Sequence, residues 1–507
     1  MPFRTIRPRA VRRLFTALLV GGVAALIGGC SGGERTKSVA VDPRPSLAPE
    51  RVAEHVASFD MIWETVRDVH YDPNLNGADW EGLRVALRPR VEAARSDREA
   101  RDAMMELLRG LGQSHFAVVP AAAYDVISGD EWREEKSAAG STTEVTVGAP
   151  GDRDTHSASD SDATIDGAEA AAAHSSTTEE TEPLEPLPPR NTSGVGQPGF
   201  DIAVADGRAL VSRVVAGTSA EEEGVAMGWI LHAVDGYQVS RTIDAVHSFS
   251  EGGEARMIMR SAILNTLAGD PGEQVDVTFL DAEDRERTLR LTLAPPKFVQ
   301  PAFMNMPQSV VDWEFSRDGT IGLFRLSIFM HVMVRAQFAQ FLEENPDLTG
   351  LVIDLRGNPG GIGFMANGLA GHLIDEAGLR LGTMESREQT IHFSIQPQVT
   401  VFEGKVAVLI DGGSASTSEI LAAGLQDLGR ARLFGANTAG AALPSMFVRL
   451  PNGDGFQYAI ANYVSSGGEV LEGDGVAPDV AVSVDRAMLL EGIDPILHAA
   501  NEWLRTP

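Results

Sequence analysis

Three stretches hold residues whose types and spacing suit acyl-transfer chemistry. In residues 405–426, KVAVLIDGGSASTSEILAAGLQ, the apolar run 406–410 reads as a buried strand, 411–416 as a turn and the spacing of Ile420, Leu421, Ala423 and Leu425 as a helix. Such a junction lifts a side chain clear of the sheet's end, with the first free N–H groups of the helix aimed at whatever that side chain attacks. Ser416 stands there and is the candidate nucleophile; its bland alternative is a helix N-cap, a common use of serine. The second stretch, LVIDLRGNPGG at 351–361, is an apolar strand running into glycines, where backbone N–H groups approach a ligand closely because no Cβ intervenes. It does not fit the lysine-containing phosphate loop, so the functional reading is an oxyanion site and the structural one a tight turn with Asp354 paired to Arg356. The third stretch is VLEGDGVAPD at 470–479.

Positioning these residues needs rigid elements. From Phe298 the pattern alternates: strand 321–326, helix 332–343, strand 351–355, helix 362–374, strand 406–410, helix 418–428, then strands at 432–434 and 456–464. Alternation of this kind argues for an α/β domain with a mostly parallel sheet. At the front of the chain, Phe59, Ile62, Trp63, Val66 and Val69 recur at three and four, Trp80, Leu83 and Leu87 follow, and a third helix carries Met104, Leu107, Leu108 and Leu111 before ending at GQSHF, 112–116. Short alternating strands at 209–214, 229–234, 275–280 and 289–293, with a helix at 256–267, form a β-rich region between them. Residues from about 128 to 198 are rich in Ser, Thr, Ala, Gly and acids, have too little apolar surface to offset ordering entropy, and read as disordered.

The 507 residues carry a net charge of −29, which argues against a nucleic-acid partner because phosphate binding needs clustered Lys and Arg. The lysines are four: Lys37, Lys136, Lys297 and Lys405. The single cysteine, Cys30, excludes an internal disulfide. Five arginines, an apolar run at 14–27 too short for a comfortable membrane span, and Ile27-Gly28-Gly29-Cys30 resemble the start of a bacterial lipoprotein, which implies cleavage before Cys30, lipidation of its thiol and tethering to a membrane surface on the periplasmic side. The expected plan is a signal peptide at 1–29, a tether at 30–49, a helical domain at 50–122, an acidic linker at 123–198, a β-rich domain at 199–297 and an α/β core at 298–505. The sequence is silent on oligomeric state, and no zinc-ligand spacing or other cofactor signal appears.

The β-rich region resembles a PDZ domain of bacterial proteases in its small-residue turns, Gly224, Gly228 and Asp235-Gly236. The resemblance implies a site that adds a substrate's C-terminal tail as a strand, with Gly199, Phe200, Asp201 and Ile202 at the carboxylate loop. DLRGNPGG, GSASTSEILAAGLQDLGRARLFG and GDGVAPDV together resemble the serine peptidases of the C-terminal processing and tricorn type. That likeness implies a crotonase-like α/β fold (the ClpP/crotonase type) for the core, Ser416 as nucleophile, and protein or peptide substrates cut through an acyl-enzyme. One branch of the family activates its serine with a lysine; here Ala441 stands at that place, in GANTAGA, and no lysine follows Lys405. The tricorn-like branch uses a histidine preceded by serine, matched here by Ser114-His115. By the same resemblance His115 takes the proton from Ser416, Ser114 and Glu472 orient its ring, and the N–H groups of Gly361 and Thr417 form the oxyanion hole. Gly360 and Gly363 lie close enough to replace Gly361, and Glu469 or Asp474 to replace Glu472. The alternative is a family member that has lost catalysis and only binds envelope proteins.

Overall fold

Apolar residues spaced by three and four build the front of the molecule. In the computed structural model, which describes residues 47–121, 124, 196–247, 252–295, 309–330 and 333–506, helices α1 (Pro49–Val69), α2 (Trp80–Glu92) and α3 (Asp97–Arg109) pack around Phe59, Ile62, Val66, Leu87, Met104 and Leu107. Asp79 and Ser96 cap α2 and α3 by accepting from the N–H groups of Gly82 and Glu99. The two buried indoles satisfy each other's backbone: Trp63 Nε1 donates to the Trp80 carbonyl at 3.0 Å and Trp80 Nε1 to that of Trp63 at 3.1 Å. Cys30 and residues 125–195 of the expected acidic linker lie outside the described residues, whereas Gly196 and Gln197, expected within the linker, pair with Gly269 and Ala294.

After α3, strand β1 (Ala117–Val119) leads out of the helical region. A β-rich region follows: β2 (Phe200–Ala205), β3 (Arg208–Val214), the single turn α4 (Ser219–Glu222), β4 (Ile230–Val234), β5 (Tyr237–Gln238), α5 (Val239–His247), α6 (Gly252–Leu267), β6 (Gln274–Leu280) and β7 (Glu286–Thr292). Its antiparallel sheet runs β2-β3-β4-β6-β7, so β2 lies at an edge. Phe200, Ile202, Val211, Val277 and Phe279 fill its core together with Met259 and Ile263 of α6.

The last part holds β8 (Val311–Phe315), β9 (Ile321–Leu326), α7 (Met333–Glu344), β10 (Gly350–Asp354), α8 (Phe364–Ala370), β11 (Arg380–Glu385), β12 (Thr390–Ser394), β13 (Lys405–Ile410), α9 (Thr417–Asp427), β14 (Ala431–Gly435), β15 (Ser445–Arg449), β16 (Gly455–Ala459), β17 (Asn462–Ser465), β18 (Val480–Ala481), α10 (Arg486–Leu490) and α11 (Pro495–Arg505). Its main sheet runs β18-β14-β13-β10-β9-β8, parallel except for β8. Period-two alternation assigns the faces: Leu351, Ile353, Val406, Val408 and Ile410 point into one cluster with residues of α7, α8 and α9, while Val352, Ala407 and Leu409 meet Ile496, Ala500 and Leu504 of α11. The whole is a mixed α/β fold with a helical N-terminal region and β-rich sheets.

Several elements depart from expectation, among them strands β8, β11, β12, β15 and β18 and helices α10 and α11, none of which was expected. The run 456–464 is two strands, not one: β16 joins the sheet β1-β16-β15 and β17 joins β12-β11-β17. The Ile460 N–H bonds the Pro444 carbonyl between them, a change of partner that a continuous apolar run conceals. Helix α8 is shorter than the expected 362–374, since Gly363 and Gly371 stand at its two caps. Helix α5 was not anticipated: VSRTIDAVH is rich in β-branched residues, yet Val239, Ile243 and Val246 bury one face of a helix.

Candidate active site

Ser416 is held where the sequence places it, at the turn between β13 and α9. From Gly412 to Leu425 every residue is buried except Ser416, which stays partly exposed. Its backbone has φ 53° and ψ −114°, a region costing a non-glycine residue about 1–3 kcal/mol unless the surroundings enforce it. They do. Asp411 Oδ1 accepts from the N–H groups of Gly357 and Gly413, both at 2.8 Å, and the hydroxyls of Ser414 and Ser418 donate to the carbonyls of Leu355 and Asn358 at 2.8 and 2.9 Å. The Ser416 N–H is shared between the Ala441 carbonyl and Glu419 Oε2, each at 2.8 Å. The position is that of an N-cap, as the bland reading had it, with the side chain presented at the surface.

The glycine loop after β10 runs against this turn. Gly360 has φ 98°, and a Cβ there would lie 2.7 Å from Ser416 Cβ and 2.8 Å from the Thr417 nitrogen, so only glycine allows the approach. The Thr417 hydroxyl donates to the Gly361 carbonyl at 2.9 Å. The Gly360 N–H is committed to Asn358 Oδ1 at 2.9 Å, whereas the N–H groups of Gly361 and Thr417 have no hydrogen-bond partner among the described residues. Asp354 and Arg356 are paired at 2.7 Å, and Arg356 reaches Asp494 at 2.8 Å, fastening the loop to the cap of α11. The structural reading of this stretch and the close approach of its glycines therefore coexist.

Ser114 and His115 arrive from the helical region because β1 pairs antiparallel with β16, Val118 opposite Phe456. The Ser114 N–H donates to Glu472 Oε1 at 2.6 Å and its hydroxyl to Oε2 at 2.9 Å, while His115 Nδ1 lies 2.7 Å from the Ser114 oxygen. A hydroxyl has one proton, and an ionised carboxylate can only accept. With the Ser114 proton directed at Glu472, the His115 contact requires an Nδ1–H donor, which leaves Nε2 as the basic nitrogen. Burial lowers the His115 pKa to about 4, so the ring is neutral at neutral pH. Glu472 also accepts from the Ala442 N–H at 3.1 Å. Glu469 instead closes a turn through Ser465. The two halves of the constellation thus meet at neighbouring residues: Ala441 receives Ser416, and Ala442 binds Glu472.

No amine competes among the described residues near the junction. Ala441 is buried with Ala415 and Ala439 under Met257 of α6, and Lys405 donates to the Thr506 carbonyl from the far end of β13. His372 is buried edge-on to Phe338 and bonds the Thr400 carbonyl at 2.8 Å; His392 sits on β12 beside Thr383; His331 lies outside the described residues. One functional-looking residue escaped the sequence reading. Glu419 is 0% exposed and takes four donors, and burial pushes its pKa up to about 7 against their opposing pull. Its signal was the Ser-x-x-Glu spacing of a capping box.

The expected peptide-binding residues lie elsewhere. Gly199 has φ 83° and packs on Thr218, Phe200 and Ile202 are buried, and Asp201 pairs with Arg260 of α6 at 2.8 Å. Phe200, Asp201 and Ile202 border a cavity of about 620 Å³ between the β-rich region and the core, also lined by Arg213, Asp312 and Arg356; Gly199, Ser416 and His115 do not line it.

Residues 320–482 match Peptidase family S41 and residues 51–109 the Tricorn protease C1 domain. The chain is 28% identical over 185 residues to a carboxy-terminal-processing protease of Bartonella bacilliformis, covering 36% of this chain and 43% of that one. It is 24% identical over 182 residues to a probable CtpA-like serine protease of Staphylococcus epidermidis, covering 36% and 37%. The chain therefore spans less than half the length of these curated relatives. Among solved structures, mature CPAF, alone or complexed with lactacystin, superposes with a TM-score of 0.51 at 12% identity over 90% of this chain and 97–98% of that one, a likeness of fold.

Proposed function

From the premise that this chain belongs to peptidase family S41, alongside C-terminal processing proteases, we propose that it is an endopeptidase of the tricorn-like kind, with Ser416 as nucleophile and His115 as base. The observation that carries this reading is the Ser114–Glu472 clamp, which fixes the His115 tautomer with Nε2 as the basic nitrogen in a chain that has alanine at the lysine position. Ser416 Oγ attacks the scissile carbonyl carbon while Nε2 takes its proton, and the developing oxyanion is received by the N–H groups of Gly361 and Thr417. Collapse breaks the C–N bond, and the imidazolium returns its proton to the leaving amine. Water, activated by the same nitrogen, then hydrolyses the acyl-enzyme and restores the serine.

In this reading the core is crotonase-like and the β-rich region is PDZ-like. A substrate tail lies along β2, with its carboxylate near residues 199–202. Lipidation at Cys30 holds the enzyme to a membrane on the periplasmic face of the cell envelope. Substrates are unfolded or tail-exposed proteins, consistent with an activity shared by the family.

The test is a fluorophosphonate label together with casein cleavage. Wild-type protein takes the label on Ser416; Ser416→Ala and His115→Ala each lower cleavage by on the order of 10³-fold or more, and Ala441→Lys in the His115→Ala background does not restore it. Full cleavage by His115→Ala would remove the histidine as base. A wild-type serine that never labels would identify a protein that binds without cutting.

A further inference from the structure

Glu419 is a carboxylate at 0% exposure with no role in the proton transfers just described. Its Oε1 accepts from the Thr438 hydroxyl at 2.5 Å and the Gly440 N–H at 2.8 Å; its Oε2 accepts from the Ser416 N–H at 2.8 Å and the Ala441 N–H at 3.0 Å. A capping box would explain one of these four, the bond back to Ser416. The other three leave the helix for residues 438–441, and Thr438 extends the connection by accepting from the Val476 N–H at 2.7 Å. One side chain therefore joins the turn that presents Ser416, the segment whose Ala442 binds Glu472, and the segment that carries Glu472 itself. Burying such a group costs several kcal/mol unless every lone pair is matched, which is the expense of a fixed geometry rather than of simple stability.

We propose that Glu419 is a positioning residue of this site, holding the Ser416 turn in register with the backbone that anchors Glu472, and through Ser114 with His115. This rests on Ser416 being the nucleophile. Ser416 and His115 come from segments brought together only by tertiary contacts, and a misplacement of about 1 Å costs on the order of 10²-fold in rate. Four donors aimed at two oxygens from two segments remove that freedom: neither segment can shift without breaking a buried hydrogen bond to Glu419. The positive φ of Ser416 fits the same account, since the Ser416 N–H is clamped from both sides by Glu419 and Ala441.

The experiment compares wild type, Glu419→Gln and Thr438→Val, with rates expressed per folded molecule by circular dichroism. Glutamine keeps the volume but turns an NH₂ toward two of the four donors; valine removes the hydroxyl between Glu419 and Val476. Expected are a fall in kcat and in fluorophosphonate labelling of on the order of 10²-fold for Glu419→Gln and several-fold for Thr438→Val, with KM within about twofold of wild type. A merely structural glutamate would lower Tm and leave the rate per folded molecule alone. If the glutamine variant does not fold, the valine variant decides by the same reading. Wild-type rates in the folded variants, or a change confined to KM, would overturn the proposal while leaving the nucleophile in place. A wild-type enzyme that does not label at all would overturn the peptidase reading with it.

Discussion

At the scale of single residues, the proposed mechanism makes the state of His115 set the working pH. Burial lowers its pKa to about 4 from an ordinary 6.5, and only the neutral ring can take a proton from Ser416. Activity limited by this group rises with pH through the lowered value, so kcat/KM for a peptide should keep its acid limb near pH 4 and be level by pH 6. A midpoint at 6.5 or above, in a profile measured on folded enzyme, would show the ring to be solvated in the free enzyme. The shift also has a cost for folding. The unfolded ring binds its proton at about 6.5 and the native one only near 4, so stability is lost as pH falls across that window. Glu419 has the opposite sign: its pKa is raised from 4.5 to about 7, the native state holds the proton longer, and stability falls as pH rises through that range. Between about 4.5 and 6.5 the two contributions oppose each other.

Among elements, the hairpin β15–β16 decides, in the proposed mechanism, whether His115 reaches Ser416 at all. Phe456 is 0% exposed, packs with Phe59, Leu107 and Val118 in the helical cluster, and stands opposite Val118 in the β1–β16 pairing that delivers Ser114 and His115. Phe456→Ala should cost about 3–5 kcal/mol and abolish cleavage before the main sheet melts, read as activity loss well below the main unfolding transition. Loss of both together would mean the helical region and the core unfold as one unit. This element also marks where sequence stops being informative. The junction of β13 with α9 was legible because a fully buried parallel strand is a continuous apolar run and the turn after it is glycine-rich. The Ser-His pair at the end of the helical region was legible only through resemblance. The pairing that brings it to Ala442 was not, because antiparallel partners more than three hundred residues apart leave no local periodicity, and because 456–464 hides a change of sheet inside one apolar run. The four-donor environment of Glu419 was invisible for a like reason: three of the donors come from a loop beyond β14.

On the scale of the whole molecule, the β-rich region is seated on the β13–α9 junction by one face of α6. Met257 covers Ala415, Ala439 and Ala441; a Cβ at Gly412 would meet Arg256 at 2.4 Å, and one at Gly357 would meet Arg260 at 2.3 Å. Arg260 faces both ways: it donates to the Ile202 carbonyl at 3.3 Å on edge strand β2, to Asp201 at 2.8 Å, and to the Gly357 carbonyl at 3.2 Å at the base of the loop that carries Gly361. A tail added as a strand to β2 needs the Ile202 carbonyl for its own N–H, so its binding and the Arg260 bridge compete for one acceptor. Occupation of β2 should therefore change the labelling rate of Ser416, and labelled enzyme should bind a tail with an affinity different from that of free enzyme, within the roughly 5- to 150-fold range of ordinary coupling. The measurement is calorimetric titration of an apolar C-terminal peptide into free and fluorophosphonate-labelled enzyme, repeated with Arg260→Ala. Coupling present in wild type and lost in the variant would make Arg260 the link. Equal affinities for free and labelled wild type would mean that β2 and Ser416 act independently, with Arg260 no more than a part-exposed ion pair to Asp201.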